Sequence, residues 1–163
     1  MTLLRSIPCC PDWPSIRETY GTAGLLLSLS LEEAARRFRG RAAYLATPLP
    51  RYQIGETFSR TSDRFLMARR VPARWVIDCA ERGMTAISPM LLLSSALAAD
   101  CRGRCEELDP AFLTRWCEPL IREARLVLIP PVSGWEIDRG VWDQARVALA
   151  HNIHVVLLLE DAK

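Results

Sequence analysis

The chain lacks any apolar run long enough to cross a lipid bilayer. Its longest apolar segments, "GLLLSLSL" and "SPMLLLSSALAA", fall short of the roughly 20 residues that a membrane helix needs. The start, "MTLLRSIPCCPDWP", also lacks the apolar core and cleavage site of a secretion signal. We therefore expect a cytoplasmic protein with no membrane partner.

The chain has little excess charge of either sign. Its 21 lysines and arginines stand against 19 aspartates and glutamates, which gives a net charge of +2 without a dense basic run. Binding to a nucleic-acid polymer rests largely on cationic contacts to phosphates, so this balance argues against such a partner.

Histidine is scarce, and the usual cofactor motifs are missing. The two histidines, His151 and His154, flank the last apolar run, and Cys101 and Cys105 have no further ligand at a metal-site spacing. Neither a Walker A loop nor a dinucleotide-binding glycine fingerprint is present. We expect no metal and no cofactor. Several of the six cysteines lie in apolar segments of a chain without a secretion signal, which favours free thiols.

The sequence does contain a regular alternation of apolar strand-like runs and helical patterns from about residue 41 onward. "RAAYLATP", "RLVLIP" and "IHVVLLL" are nearly continuous apolar runs of strand length, typical of parallel strands covered on both faces. A shorter strand is predicted at "MTAISP". The predicted fold class is therefore α/β: a three-layer domain with a mainly parallel sheet and helices on both faces, flavodoxin-like or Rossmann-like.

The first forty residues fit this alternation less well. "SLEEAARRFRG" predicts a short helix, with Ser30 as its N-cap, Glu33 as the partner in a capping box and Gly40 as its stop. The preceding stretch, "PDWPSIRETYGTAGLLLSLS", suits a helix, an added edge strand or a lid, and the pattern does not choose among them. We treat residues 1–40 as an N-terminal extension that packs on or caps an α/β domain of residues 41–163.

Two loops leave predicted strands at the edge where open parallel sheets bind ligands. The first follows "YLAT" and the second precedes a predicted helix that Asp138 caps. The candidate ligand-binding residues on these loops are Thr47, Pro48, Arg51, Tyr52, Ser133, Gly134, Trp135 and Gly140.

Three stretches, "AYLATP", "AISPM" and "LVLIPPVSGWEIDRGVWDQARVALAHNIHVVLL", together resemble the nucleoside 2-deoxyribosyltransferase superfamily. The resemblance covers roughly residues 41–159 and is closest to a bacterial branch that carries a domain of unknown function. It implies a flavodoxin-like or Rossmann-like sheet and an enzyme that cleaves or exchanges the N-glycosidic bond of deoxynucleosides or deoxynucleotides. In that superfamily a Ser or Asp, with a Gly two residues on, opens a helix, and a Glu six residues after the Ser or Asp attacks the sugar.

This chain departs from the superfamily pattern at the nucleophile. The resemblance places the Ser or Asp at Asp138, the Gly at Gly140 and the nucleophile at Gln144. A neutral amide stabilises a positively charged sugar carbon poorly. Helical geometry predicts that Asp143 faces solvent, which leaves Glu136 in the loop as the better substitute. The resemblance places a further acid, which handles the base in the superfamily, at about Cys117, a residue that is not a carboxylate.

Structural interpretations stand beside these functional ones. Asp138 is either a helix cap alone or a cap that also contacts a ligand. Trp135 and Trp142 either stack on a nucleobase or pack against the protein. Tyr44 is interpreted as structural, whereas Thr47 at the strand end is expected to face the ligand.

The sequence thus supports two main functions. One is an enzyme acting on the N-glycosidic bond of a small nucleoside or nucleotide, with Glu136, Asp138 and Gln144 as candidate catalytic residues. The other is an inactive nucleoside- or nucleotide-binding or accessory protein of the same fold. The apolar surplus in Leu25–Leu31 and Leu91–Leu97, together with shared sites among superfamily relatives, further predicts a homo-oligomer.

Overall fold

A computed structural model describes residues 7–48, 63–99 and 110–160 of the chain. Its centre is a five-stranded, all-parallel sheet in the order β1-β5-β4-β2-β3. The strands are β1 (Leu26–Leu29), β2 (Ala42–Leu45), β3 (Thr85–Ile87), β4 (Leu126–Ile129) and β5 (His154–Leu158). The predicted runs at "RAAYLATP", "MTAISP", "RLVLIP" and "IHVVLLL" are therefore confirmed as strands.

Helices surround the sheet. They are α1 (Trp13–Ile16), which continues as a π-helical turn over Arg17–Gly21, α2 (Leu31–Arg37), α3 (Asp63–Glu81), α4 (Pro89–Ala99), α5 (Pro110–Ala124) and α6 (Arg139–Ala150). Within the described ranges, none of these helices is both long and apolar enough to span a membrane.

Two apolar layers cover the two faces of the sheet. On one face, Tyr44, Val127 and Val155 pack with residues of α1, α5 and α6. On the other, Leu45 and Leu128 pack with residues of α2 and α3. Consecutive strand residues point to opposite faces, so the alternate members of each central strand enter different layers. The predicted three-layer α/β class is confirmed.

The N-terminal segment supplies the outermost strand. Leu26 to Leu29 of β1 pair in register with Val155 to Leu158 of β5. Of the alternatives open for this stretch, the edge strand holds for Leu26–Leu29 and a short helix for Trp13–Ile16. If β2 to β5 are renumbered 1 to 4, their order in the sheet is 2-1-3-4, as in the first four strands of the flavodoxin-type order 2-1-3-4-5. The fifth position is filled by β1, which comes from the N-terminal part of this chain.

The short helix α2 forms where its capping residues predict it. Ser30 accepts a hydrogen bond from the Glu33 amide at 3.2 Å, and Glu33 accepts one from the Ser30 amide at 2.9 Å. These bonds satisfy amides that a helix start otherwise leaves without a partner. Gly40 follows the helix with φ +75°, a conformation that glycine adopts without steric cost.

Candidate functional site

The order in which the chain adds strands to the sheet reverses between β2 and β4. The chain leaves β2 for β3 on one side and leaves β4 for β5 on the other, while β2 and β4 lie side by side through the pairs Tyr44–Val127 and Leu45–Leu128. Beyond the strands, the Ala46 amide donates to the Leu128 carbonyl at 2.9 Å. A crevice for a ligand is expected at the carboxyl ends of such a strand pair, because the two loops diverge there.

Asp138 begins α6 at the mouth of this crevice. Its side chain is buried, and Oδ1 accepts the Val141 amide at 2.9 Å, so the predicted N-cap is confirmed. Gly140 is next to this carboxylate, since a Cβ at Gly140 would lie 3.1 Å from Oδ1. The Asp-x-Gly pattern therefore has a local cause: the glycine leaves room for the carboxylate that caps the helix.

The loop before α6 is held as one tight turn. Gly134 has φ +84°, and a 3-10 turn follows over Trp135–Ile137. Ser133 and the Glu136 side chain are exposed. A left-handed residue at this position favours glycine, so the shape of the loop depends on Gly134.

The N-terminal segment clamps this loop through three tryptophans. Trp13 donates its indole N–H to the Glu136 carbonyl at 2.8 Å. Its ring meets Trp135 edge-on at 4.8 Å between centroids and Trp142 edge-on at 4.9 Å. Trp142 is fully buried and donates to the Pro8 carbonyl at 3.1 Å, so its role is packing.

Thr47 Oγ1 and Gln144 Oε1 are buried and have no hydrogen-bond partner in the part of the chain that the structure describes. Arg146 Nε shares this feature, and so does the Tyr44 hydroxyl apart from its contact with the Cys117 thiol. Thr47 is only 4% exposed at the end of β2. Native proteins rarely leave such atoms without a partner, so each marks a place where a partner is to be expected.

Gln144 lies on the flank of α6 that faces α5. On an α-helix, positions 142 and 144 point about 160° apart. Trp142 is turned toward the N-terminal segment, so Gln144 is turned the other way, toward α5, which packs against both α6 and β2. Gln144 and Tyr44 therefore border the same part of the apolar layer.

Tyr44 and Cys117 meet beneath this region. Burial, followed by the neighbouring thiol of Cys117, raises the pKa of the Tyr44 hydroxyl well above its usual value. Burial likewise raises the pKa of the Cys117 thiol, and the Tyr44 hydroxyl partly offsets that rise. Both groups are therefore neutral at physiological pH, which suits hydrogen bonding and not nucleophilic attack.

The carboxylates around α6 have structural partners. Asp143 lies on the outer face and pairs with Arg146 at 3.3 Å and Arg139 at 3.8 Å. Asp138 caps the helix. Among the described residues, no group of three or more His, Cys, Asp or Glu side chains could hold a metal ion.

The structure thus places two of the predicted loops at one sheet edge. Thr47 and half-buried Pro48 follow β2, and the segment from Ser133 to Gly140 follows β4. Arg51 and Tyr52 lie outside the described residues.

Sequence reasoning missed Trp13, which fixes the second loop. The contact joins residues 123 positions apart. Tyr44 is interpreted as structural, and its buried hydroxyl lies against the Cys117 thiol.

Comparison with known proteins gives one finding. A family model described as a domain of unknown function, DUF1937, matches residues 41–160. Neither the curated proteins nor the solved structures contain a match to the chain.

Proposed function

We propose that this chain binds a nucleoside or nucleotide in the crevice between β2 and β4. The chain belongs to the DUF1937 family, a domain of unknown function. In this proposal Gln144 recognises the ligand through its amide and does not attack the sugar. The nucleoside class comes from the resemblance to nucleoside 2-deoxyribosyltransferases, and the binding role comes from the side chains themselves.

One observation supports the proposal most strongly. Thr47 Oγ1 and Gln144 Oε1 are buried without partners in the described ranges. A nucleoside carries hydroxyl, amino and carbonyl groups that satisfy such atoms. Because a buried polar atom without a partner costs about 1–3 kcal/mol, a ligand that supplies the bonds regains this free energy on binding.

The chemistry of the site favours binding over cleavage. The position that the resemblance assigns to the nucleophile holds an amide, which gives little electrostatic stabilisation to a sugar cation. Asp143 is paired with two arginines, and Asp138 is engaged as a cap. Neither carboxylate is placed as a substitute.

Gln144→Glu tests whether the missing carboxylate is all that separates this site from an enzyme. We expect wild type to release no free base from deoxynucleosides or deoxynucleotides, and Gln144→Glu to release it. Gln and Glu have nearly equal volume, so α6 should accept the change. Base release is followed by chromatography, with Gln144→Met as the control that matches size without charge. Base release by wild type and by Gln144→Met would contradict the binding role.

A second candidate function is an N-glycosidic enzyme that uses Glu136. The supporting observation is that the Glu136 side chain is exposed at the crevice loop while its backbone carbonyl is fixed by Trp13. A fixed backbone under a free carboxylate suits a nucleophile or general base. Cleavage by wild type that disappears in Glu136→Gln, with unchanged folding, would establish this candidate in place of the first.

We also propose that the chain forms a homo-oligomer at the crevice edge. The apolar stretch that motivated the expectation is partly used by the fold, since Leu26 and Leu31 are buried. Ile137 and Leu159, however, are 73% and 50% exposed and follow neighbouring strands β4 and β5. A second copy covering them would close one side of the crevice. Light scattering that gives a monomer mass at micromolar concentration would count against it.

A further inference from the structure

A second cavity lies at the opposite edge of the sheet, where the strands begin. Its volume is about 460 Å³. The lining residues are Arg41, Arg122, Arg125, His151, Asn152, Ile153 and His154. This cavity is separate from the crevice, because parallel strands place their amino ends and carboxyl ends at opposite edges.

The cavity wall is basic. Arg41 directly precedes β2, Arg125 directly precedes β4, and His154 opens β5. No acidic side chain is among the described residues that line it. Arg122 pairs with Glu118, whereas Arg41 and Arg125 form no ion pair with a described residue. Two guanidinium groups are therefore available to a ligand.

Two residues that line this cavity have a backbone conformation that usually requires glycine. Arg125 with φ +58° and Asn152 with φ +55° are the two non-glycine residues with positive φ in the described ranges, and both line the cavity. Arg125 directly follows the end of α5, and Asn152 follows His151, the C-cap of α6; positions just after a helix usually hold glycine and accept asparagine. An arginine there carries a steric cost that glycine avoids. Arg125 thus occupies a position whose backbone conformation favours glycine.

His154 lies in the positive potential of this cavity. Its ring meets the Phe38 ring edge-on at 5.3 Å, and the guanidinium groups of Arg37 and Arg41 lie over that same phenyl ring. Burial, and then Arg41 and Arg37, lower the pKa of His154. The C-terminal ends of α5 and α6 carry partial negative charge and partly offset the charge of Arg122, Arg125 and His151.

We propose that this cavity binds a small, multiply charged anion of the phosphate class, held by the guanidinium groups of Arg41 and Arg125. Arginine forks match phosphate oxygens in paired hydrogen bonds. An open cavity of about 460 Å³ suits a small ligand that the solvent-exposed guanidinium groups can reach. The net charge of +2, without a basic stripe, argues against a nucleic-acid polymer.

The test is a thermal-shift and calorimetric titration of the full chain with sodium pyrophosphate, against sodium chloride at equal ionic strength. Pyrophosphate should raise Tm beyond the chloride control. Arg125→Gly should weaken binding roughly tenfold or more, because it removes a charge-assisted contact. The variant should fold, since glycine accepts φ +58°. Arg41→Gln, at an exposed position, should weaken binding similarly and provides an independent check.

Two controls separate this site from general charge effects and from the crevice. Arg74→Gln removes a charge from an arginine that is 83% exposed and does not line the cavity, so it should bind as wild type does. Thr47→Val alters the crevice and should also bind as wild type does. Equal weakening in Arg74→Gln would overturn the site in favour of nonspecific screening, and equal weakening in Thr47→Val would place the anion in the crevice.

His154 gives a direct spectroscopic readout. In a His151→Gln background, the NMR titration of the remaining histidine should show a higher pKa when pyrophosphate is bound, because the anion offsets the nearby guanidinium charges. A nucleoside diphosphate is titrated in parallel. An affinity equal to that of pyrophosphate shows that only the phosphates are recognised, and a higher affinity shows that the base is recognised as well. Either result supports the site when Arg125→Gly weakens it.

Several outcomes would overturn the proposal. They are no rise in Tm beyond the chloride control, wild-type affinity in Arg125→Gly and Arg41→Gln, and an unchanged pKa of His154. A single-stranded oligonucleotide that binds much more tightly than pyrophosphate would replace it with a nucleic-acid surface.

Discussion

Thr47 is the residue at which the folding role and the proposed binding role can be separated. Its side chain is almost fully buried at the end of β2, and its hydroxyl oxygen has no partner among the described residues. A side chain selected only for packing at such a position would be valine, which has the same shape without the polar atom. In the proposed function, the hydroxyl makes its contribution when a ligand is present.

We predict that Thr47→Val does not destabilise the protein and raises the free energy of unfolding by up to ~1 kcal/mol. The reason is that an unbonded buried hydroxyl is replaced by a methyl group of similar size. Urea denaturation of wild type and Thr47→Val measures the difference, with Thr47→Ser as the control that keeps the hydroxyl. A loss of 1 kcal/mol or more in Thr47→Val would show that the hydroxyl has a structural partner.

Among the elements, the four-residue helix α1 holds the crevice loop in place. Trp13 bridges the N-terminal segment to the crevice loop through one hydrogen bond and two edge-on ring contacts. The loop carrying Glu136 is otherwise held mainly by its own turn and by the Asp138 cap. Precise binding needs a loop held in one conformation, so we expect α1 to support the proposed site by holding this loop.

We predict that Trp13→Ala lowers stability by about 3 kcal/mol or more, because it leaves a cavity between Trp135 and Trp142. Trp13→Phe keeps most of the packing and loses the bond to the Glu136 carbonyl. It should cost about 1–2 kcal/mol and increase amide hydrogen exchange in the loop selectively. Urea denaturation and exchange mass spectrometry measure these changes. Exchange that rises equally throughout Trp13→Phe would argue against a local clamp.

The capping box of α2 gives a prediction about pH. The hydrogen bonds from Ser30, backbone first and then hydroxyl, lower the pKa of Glu33 below its usual value of 4.5. A lowered folded-state pKa means that the carboxylate adds stability above pH 4.5 and loses it as the pH falls through the folded value. Wild type should thus be more stable than Glu33→Gln at pH 7, and the difference should vanish in acid. Denaturation at both pH values measures it, and a difference independent of pH would exclude the charge as its cause.

Elements with strong local signals could be predicted from the sequence, and those that depend on distant partners could not. The apolar runs of β4 and β5, the α2 capping box and the Asp138 cap are written in neighbouring residues. The run "GLLLSLS" is also apolar, but a short apolar run does not distinguish strand from buried helix. Its assignment as β1 depends on β5, which lies far along the chain.

The two candidate ligand sites show the same limit. The crevice loops were predicted because strand ends and a cap mark them, whereas the contact of Trp13 with Glu136 spans most of the chain. The basic cavity combines Arg41, Arg125 and His154 from three separate segments. A signal was present, since each of the three stands at the start of a predicted parallel strand, and such starts share one sheet edge.

At the scale of the whole molecule, the matched family region and the folded sheet have different extents. The family model covers residues 41–160, yet β1, which precedes it, is paired along its full length with β5. Leu26 of β1 belongs to the same apolar layer as Trp142 and Val155. A fragment that starts at residue 41 would expose this layer and leave an apolar edge strand unpaired.

We therefore predict that residues 41–163 expressed alone do not fold cooperatively. Removal of residues 1–6 is the matched control, because it keeps every described element. Dispersion of amide NMR signals and a sigmoidal urea transition report folding. A fragment of residues 41–163 with native dispersion and a sharp transition would show that the N-terminal strand and clamp are additions to a complete domain.

The central claim is that the crevice binds a nucleoside or nucleotide through Thr47 and Gln144. Its most direct test is a calorimetric titration of deoxynucleosides, which lack phosphate, into wild type, Thr47→Val and Gln144→Met. We predict binding to wild type that weakens roughly tenfold in each variant, the loss expected for one buried hydrogen bond, with the stability of Thr47→Val intact. No heat of binding with any deoxynucleoside, or equal affinity for all three proteins, would contradict the claim.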